Sequence, residues 1–173
     1  MTGIENLYGW EGFQIARFMT HSNVEQEQYL HNRLDLKTFE ELGVSEEIRR
    51  AIVEMGYENP MPVQEEVIPY LLGNGNDVIA LAQTGTGKTA SYGLPLLQKV
   101  DTSRRVTQAI ILSPTRELCL QISDDLNDYS KYVDGLHVLA VYGGASIDTQ
   151  IRALRRGVQI IVATIRIQTE RPY

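Results

Sequence analysis

Past Phe39 the apolar residues fall into two alternating patterns. Short apolar runs, at 77–81, 108–113, 137–142 and 159–164, have the length and unbroken character of strands buried on both faces. Between them, apolar residues recur every three or four positions, the period of a helix with one buried face. Ser45 precedes one such stretch and is its expected cap; Ile48, Ala51, Ile52 and Met55 share a face, and Gly56 ends it. Pro62 suits the first position of the next helix, which turns Val63, Val67, Ile68, Leu71 and Leu72 inward and stops at Gly73. A helix from Lys88 to about Lys99 contains Pro95, which is expected to bend it. A longer helix starts near Arg116 and aligns Leu118, Ile122, Leu126, Tyr129 and Val133, with Cys119 beside that face as a small buried thiol. A last helix covers about Asp148 to Arg156 and ends at Gly157. Strand alternating with helix predicts an α/β domain, a parallel sheet with helices on both faces.

Before Phe39 the pattern changes. Residues 1–36 carry glycines, scattered aromatics and polar runs without sustained periodicity, and read as a poorly organised extension. Val24, Leu30 and Leu34 allow a short helix over roughly 24–34. His21 and His31 have no ligand constellation around them.

Composition narrows the function classes. With 173 residues the chain suits one domain, or one domain and a tail. No apolar run is long enough to span a bilayer. The single cysteine leaves no internal disulfide and no multi-cysteine metal site, and fits a reducing cytoplasmic setting. A net charge of −6 offers no general attraction for nucleic acid, so any such binding needs a local basic face. Arg152, Arg155 and Arg156 could add to one, or form an ordinary solvated helix face.

The most specific chemistry lies after the first strand, in Ala82-Gln83-Thr84-Gly85-Thr86-Gly87-Lys88-Thr89. A strand, a Gly-rich turn and a helix in that order make a phosphate-binding loop. Glycines let successive N–H groups converge on one anion, and the helix N-terminus adds unpaired donors and a positive dipole end. Lys88 places an ammonium on the outer phosphates, and Thr89 offers a hydroxyl to magnesium. The general pattern opens with Gly, where this chain has Ala82.

Four stretches in order resemble the DEAD-box ATP-dependent RNA helicases, over roughly Phe39 to Thr164. Gly56-Tyr57-Glu58-Asn59-Pro60-Met61-Pro62-Val63-Gln64 is similar to the family's Q motif, with Phe39 as its upstream aromatic and Met61 departing from the usual Ser or Thr. The phosphate loop matches the family's version, its leading Ala included. Pro114-Thr115-Arg116-Glu117-Leu118 resembles the first RNA-contact motif, and Gly143-Gly144 the glycine pair. The resemblance implies a partial RecA-like P-loop domain over 37–164. It implies ATP or ADP bound with Mg2+ by Phe39, Tyr57, Gln64 and residues 83–89, with Lys88 and Thr89 carrying the phosphate chemistry. It implies single-stranded RNA held, weakly, by Pro114, Thr115, Arg116, Gly143 and Gly144. Gln64 has a donor and an acceptor for the adenine edge, whereas contacts to RNA phosphates position a strand without reading bases.

After Thr164 the resemblance stops. The family continues Ala-Thr-Pro-Gly-Arg, but here Ala163-Thr164 leads into Ile165-Arg166-Ile167 and a tail, 165–173, that does not match. No Asp-Glu-Ala-Asp sequence, no Ser-Ala-Thr motif and no second helicase domain are present. The expectation is a truncated helicase fragment that keeps the nucleotide site and is weak or inactive alone as an enzyme. A non-catalytic RNA-binding or self-associating module, and a P-loop fragment with altered phosphoester chemistry, are the alternatives. In the family, later strands pack beside the phosphate-loop strand, so an unpaired edge at 77–81 is expected here, and with it a homodimer through strand pairing.

Overall fold

The structure, a computed structural model, describes residues 13–16, 37–73 and 77–165. The possible helix over 24–34, His21, His31 and residues 166–173 lie outside the described residues. The strands are β1 (Phe13–Ala16), β2 (Asp77–Ala80), β3 (Ala109–Ser113), β4 (Val138–Val141) and β5 (Ile160–Thr164). The helices are α1 (Glu46–Glu54), α2 (Pro62–Leu72), α3 (Lys88–Lys99), α4 (Arg116–Tyr129) and α5 (Ile147–Arg156).

Every strand pair is parallel, as the alternation predicts, but the strands form two sheets. β5 lies between β3 and β4, with Ala109 opposite Ile160 and Ile160 opposite Val138. β1 pairs with β2, Phe13 opposite Asp77, in a stretch where the apolar pattern predicts no strand. The expected edge at 77–81 is therefore paired on one side. β2 is also less buried than a central strand should be: Ile79 and the following Leu81 are exposed. The reason is the missing cover, since β1 is its sole strand neighbour among the described residues.

The order β3–β5–β4 decides where the helices go. The crossover β3–α4–β4 runs one way across the sheet and β4–α5–β5 runs back, so the usual right-handed connection puts α4 and α5 on opposite faces. On the α4 face, Ile160 and Val162 are fully buried and join Cys119, Ile122, Leu126 and Tyr129 in the core. On the other face, Ile110 and Leu112 are exposed, and α5 buries none of its residues. α4 also packs against α1 and α3. Gly93 of α3 meets it so closely that a Cβ there would lie 2.9 Å from Leu126 Cδ2.

Two residues expected to face inward, Met55 and Leu118, are exposed, whereas Cys119 is fully buried at the start of α4, as expected of a small buried thiol. Ser45 occupies the cap position of α1, but its hydroxyl makes no capping bond; its backbone N–H instead donates to Gln98 Oε1 at 2.8 Å. Thr115 does cap α4, accepting from the Leu118 N–H at 3.2 Å. α3 runs through Pro95 to Lys99.

Between elements, glutamine amides tie the connections. Gln98 accepts from Ser45 N–H and donates to Gly43 O. Gln108 accepts from Asp101 N–H and donates to Asp101 O. Buried Gln159 accepts from His137 N–H and donates to Gly135 O, both at 3.0 Å. Gln64 and Gln150 do the same within the sites described below. Each side chain stands in for a peptide group, bonding one backbone donor and one backbone acceptor.

The packing of α4 generates a direct test. Leu126→Ala should cost roughly 2–5 kcal/mol by urea unfolding, the range for a buried Leu truncation. Val53→Ala, on the exposed side of α1, should stay within about 0.5 kcal/mol. Equal effects would show that α4 is not the centre of the core.

Candidate functional site

Two groups of side chains assemble at loops following the strands. The first surrounds the turn after β2. Gly85 and Gly87 take left-handed φ values of 79° and 76°, and Gly87 caps the N-terminus of α3. Thr86 Oγ1 donates to Gln83 O at 2.8 Å, and Lys88 Nζ donates to Ala82 O at 2.6 Å. The loop thus folds its own lysine across its mouth. Thr89 sits in the first turn of α3, where it hydrogen-bonds the Tyr92 phenol; burial holds that phenol above the usual range, and the Thr89 bond opposes the rise.

Gln64 joins α2 to this turn. It is 1% exposed. Its Oε1 accepts from the Met61 N–H at 2.9 Å, and its Nε2 donates to Gly87 O at 3.1 Å. The Oε1 bond closes the first turn of α2, a job Met61 cannot do with its own side chain. A Cβ at Gly87 would fall 2.2 Å from Gln64 Nε2, so a side chain there must displace the Gln64 amide. Residues 64 and 83–89 are therefore brought together as one site.

The aromatic pair is placed differently. Phe39 is 5% exposed and belongs to the core, its ring 6.3 Å from Tyr57. Tyr57 is half-buried and shares a hydrogen bond of 3.0 Å with the Tyr129 hydroxyl at the far end of α4. Burial, and then the Tyr57 hydroxyl, hold the Tyr129 phenol far above the ordinary tyrosine range. On the same helix, burial and the nearby Asp128 and Asp124 raise Asp125.

The second group lies at the opposite end of α4. Pro114, Thr115, Arg116, Gly143 and Gly144 are all exposed. Arg116 stands over the Tyr142 ring, its guanidinium carbon 4.8 Å from the centroid, and its Nη1 borders Gly144. Gln150 of α5 pairs with the Tyr142 peptide, accepting from its N–H and donating to its O, both at 3.2 Å. Arg152 donates to Thr149 Oγ1 of its own helix at 3.2 Å. Arg116 and Tyr129 stand at opposite ends of α4, about 20 Å apart at 1.5 Å per residue. Sequence reasoning passes over the contacts of Tyr142 and Gln150, and places Tyr129 only on the core face of its helix. The first could be suspected from its place before a glycine pair; the others carry no distinguishing signal.

For phosphate, the donor set fits: loop amides, a helix N-terminus and a primary amine converge after β2. For magnesium, Thr89 supplies one hard oxygen. No cluster of three acidic, histidine or cysteine side chains occurs among the described residues, so the remaining ligands would be phosphate and water oxygens.

The sequence profile of the family described as DEAD/DEAH box helicase matches residues 61–170. The chain is 50% identical over 127 residues to an ATP-dependent RNA helicase DeaD of Escherichia coli (strain K12), covering 73% of this chain and 20% of that protein. The protein of the same name from Haemophilus influenzae is 45% identical over 130 residues, covering 75% and 21%. The chain spans about a fifth of the length of these curated relatives. Among solved structures, a DEAD box protein from Methanococcus jannaschii superimposes with a TM-score of 0.69 at 40% identity, over 73% of this chain and 34% of that one. Dbp5 of S. cerevisiae, bound to RNA and ADP BeF3, gives 0.66 at 33% identity, over 74% and 32%.

The Gln64–Gly87 contact sets apart two glycines of the turn. Both have positive φ, but nothing lies within 4 Å of a Cβ at Gly85. Gly85→Ala should cost roughly the 1–2 kcal/mol of a left-handed residue. Gly87→Ala should cost more, because the Gln64 amide must also be displaced. Thermal unfolding of both variants checks this; equal shifts would mean that Gln64 does not pack on the turn.

Proposed function

The chain belongs to the DEAD/DEAH box helicase family, and from that footing we propose that it binds ATP or ADP in the site formed by Gln64 and residues 83–89. The observation that carries this reading is the direct bond from Gln64 to Gly87. It joins an adenine-reading amide to a phosphate loop, and neither alone selects ATP. Lys88 exchanges the Ala82 carbonyl for the outer phosphates, while the loop amides and the α3 N-terminus hold the inner ones. Gln64, keeping its bonds to Met61 N–H and Gly87 O, offers its second N–H and remaining lone pair to the adenine edge, and Tyr57, backed by Phe39, borders the base. Thr89, together with phosphate oxygens, would hold magnesium, which would supply charge neutralisation at the outer phosphates.

Turnover by these 173 residues alone is expected to be low. Hydrolysis in this class needs a metal-anchoring carboxylate, and an arginine finger adds ~10³–10⁵ in rate. The Asp-Glu-Ala-Asp sequence and the second domain's arginines are not among the residues of this chain. The group around Arg116 binds single-stranded RNA phosphates weakly, through that guanidinium and the amides of Gly143 and Gly144. The Thr115 hydroxyl is already engaged as a cap.

A self-associating module is the second reading. β2 and β3 each have one neighbour among the described strands, and Ile79, Leu81, Ile110 and Leu112 are exposed beside them. Such edges favour pairing with a second copy.

Calorimetry should find ATP and ADP bound more tightly than GTP. Gln64→Ala should narrow that preference, and Lys88→Ala should weaken every nucleotide. Equal affinity for ATP and GTP would remove the adenine assignment.

Light scattering behind a sizing column, over a dilution series, should show a dimer that dissociates on dilution. A monomer at every concentration would remove the self-association reading.

A further inference from the structure

The geometry points to Tyr142 and Gln150 as positioning residues for the RNA-phosphate contact of Arg116, an inference that rests on the RNA reading above. Three observations converge. The Arg116 guanidinium lies over the Tyr142 ring at 4.8 Å. Its Nη1 reaches the Gly144 backbone region, where a Cβ would sit 3.6 Å away. The Tyr142 peptide, which leads directly into Gly143 and Gly144, is held from both sides by the Gln150 amide.

A guanidinium held over an aromatic ring still has N–H groups to offer a phosphate. An exposed arginine otherwise loses much side-chain freedom when it binds. Contact with the Tyr142 ring incurs part of that loss before RNA arrives. The ring can serve only if its own backbone is fixed. β4 ends at Val141, so Tyr142 lies just past the strand ladder, and Gln150 supplies the missing donor and acceptor from α5. Among the described residues, Arg116 forms no salt bridge that would compete for its edge. Frame and ligand group therefore come from three elements: α5 holds the β4 end, whose tyrosine holds the first residue of α4.

Fluorescence anisotropy with a short labelled oligouridine, in one buffer throughout, tests the assignment. Tyr142→Phe keeps the ring and should bind as the wild type does. Tyr142→Leu keeps the bulk but not the ring face, and should weaken binding about two- to fivefold, the scale of one exposed cation–π contact. Gln150→Ala should weaken it to a similar extent. Adding Tyr142→Leu to Arg116→Ala should cause no further loss, because the tyrosine acts through the arginine. A merely structural role would instead leave the two losses additive. If Arg116→Ala weakens RNA binding while Tyr142→Leu and Gln150→Ala do not, the positioning role is wrong and the RNA site stands. If Arg116→Ala changes nothing, the RNA site itself is wrong, and the positioning role falls with it.

Discussion

Burial of one face of α4 is the constraint on which the rest of this structure depends. Cys119, Ile122, Leu126 and Tyr129 on that face are each less than a tenth exposed, and α4 packs against α1, α3 and all three strands of the larger sheet. The two sheets share no strand pairing, so the helices must hold them in register. α3, which starts at the phosphate-loop turn, reaches α4 at Gly93, where a missing side chain lets the helices meet. Apolar packing of this kind is non-directional and gains ~25 cal/mol per Å². Its tightness at Gly93 gives it a single solution.

That arrangement makes α4 a rigid spacer between two sets of contacts. Arg116 opens α4 beside Gly143 and Gly144, and Tyr129 closes it against Tyr57. Each candidate site is completed by a glutamine from a helix: Gln64 of α2 reaches Gly87, and Gln150 of α5 reaches Tyr142.

Much of this was legible in the chain. The strands and helices past Phe39 show in the apolar spacing, because burial on two faces or one dictates it. The phosphate loop shows because left-handed turns call for glycine, as at Gly85 and Gly87. Rotation about a helix axis is less legible. Leu118 and Cys119 are one position apart, about 100° around the axis, and both are apolar; the smaller thiol went inside. β1 was hidden because parallel pairing uses backbone groups that every residue carries. Phe39 reads as a stacking aromatic from its place in the motif, yet it lies within the core behind Tyr57. The glutamine contacts were invisible for a related reason: an amide that mimics a peptide bond leaves no periodic trace.

Those glutamines have a consequence for how the protein meets electrolytes. Gln64, Gln98, Gln108, Gln150 and Gln159 hold the connections with uncharged groups. The salt bridges among the described residues, Arg49 to Glu40 and Lys131 to Glu54, are at the surface. Mobile ions screen charges over a Debye length of about 8 Å at physiological ionic strength but leave neutral amide pairs largely untouched. Raising the salt concentration therefore screens the charges of Lys88 and Arg116 without loosening the frame that presents them. The scaffold and its exposed cations answer to ionic strength separately.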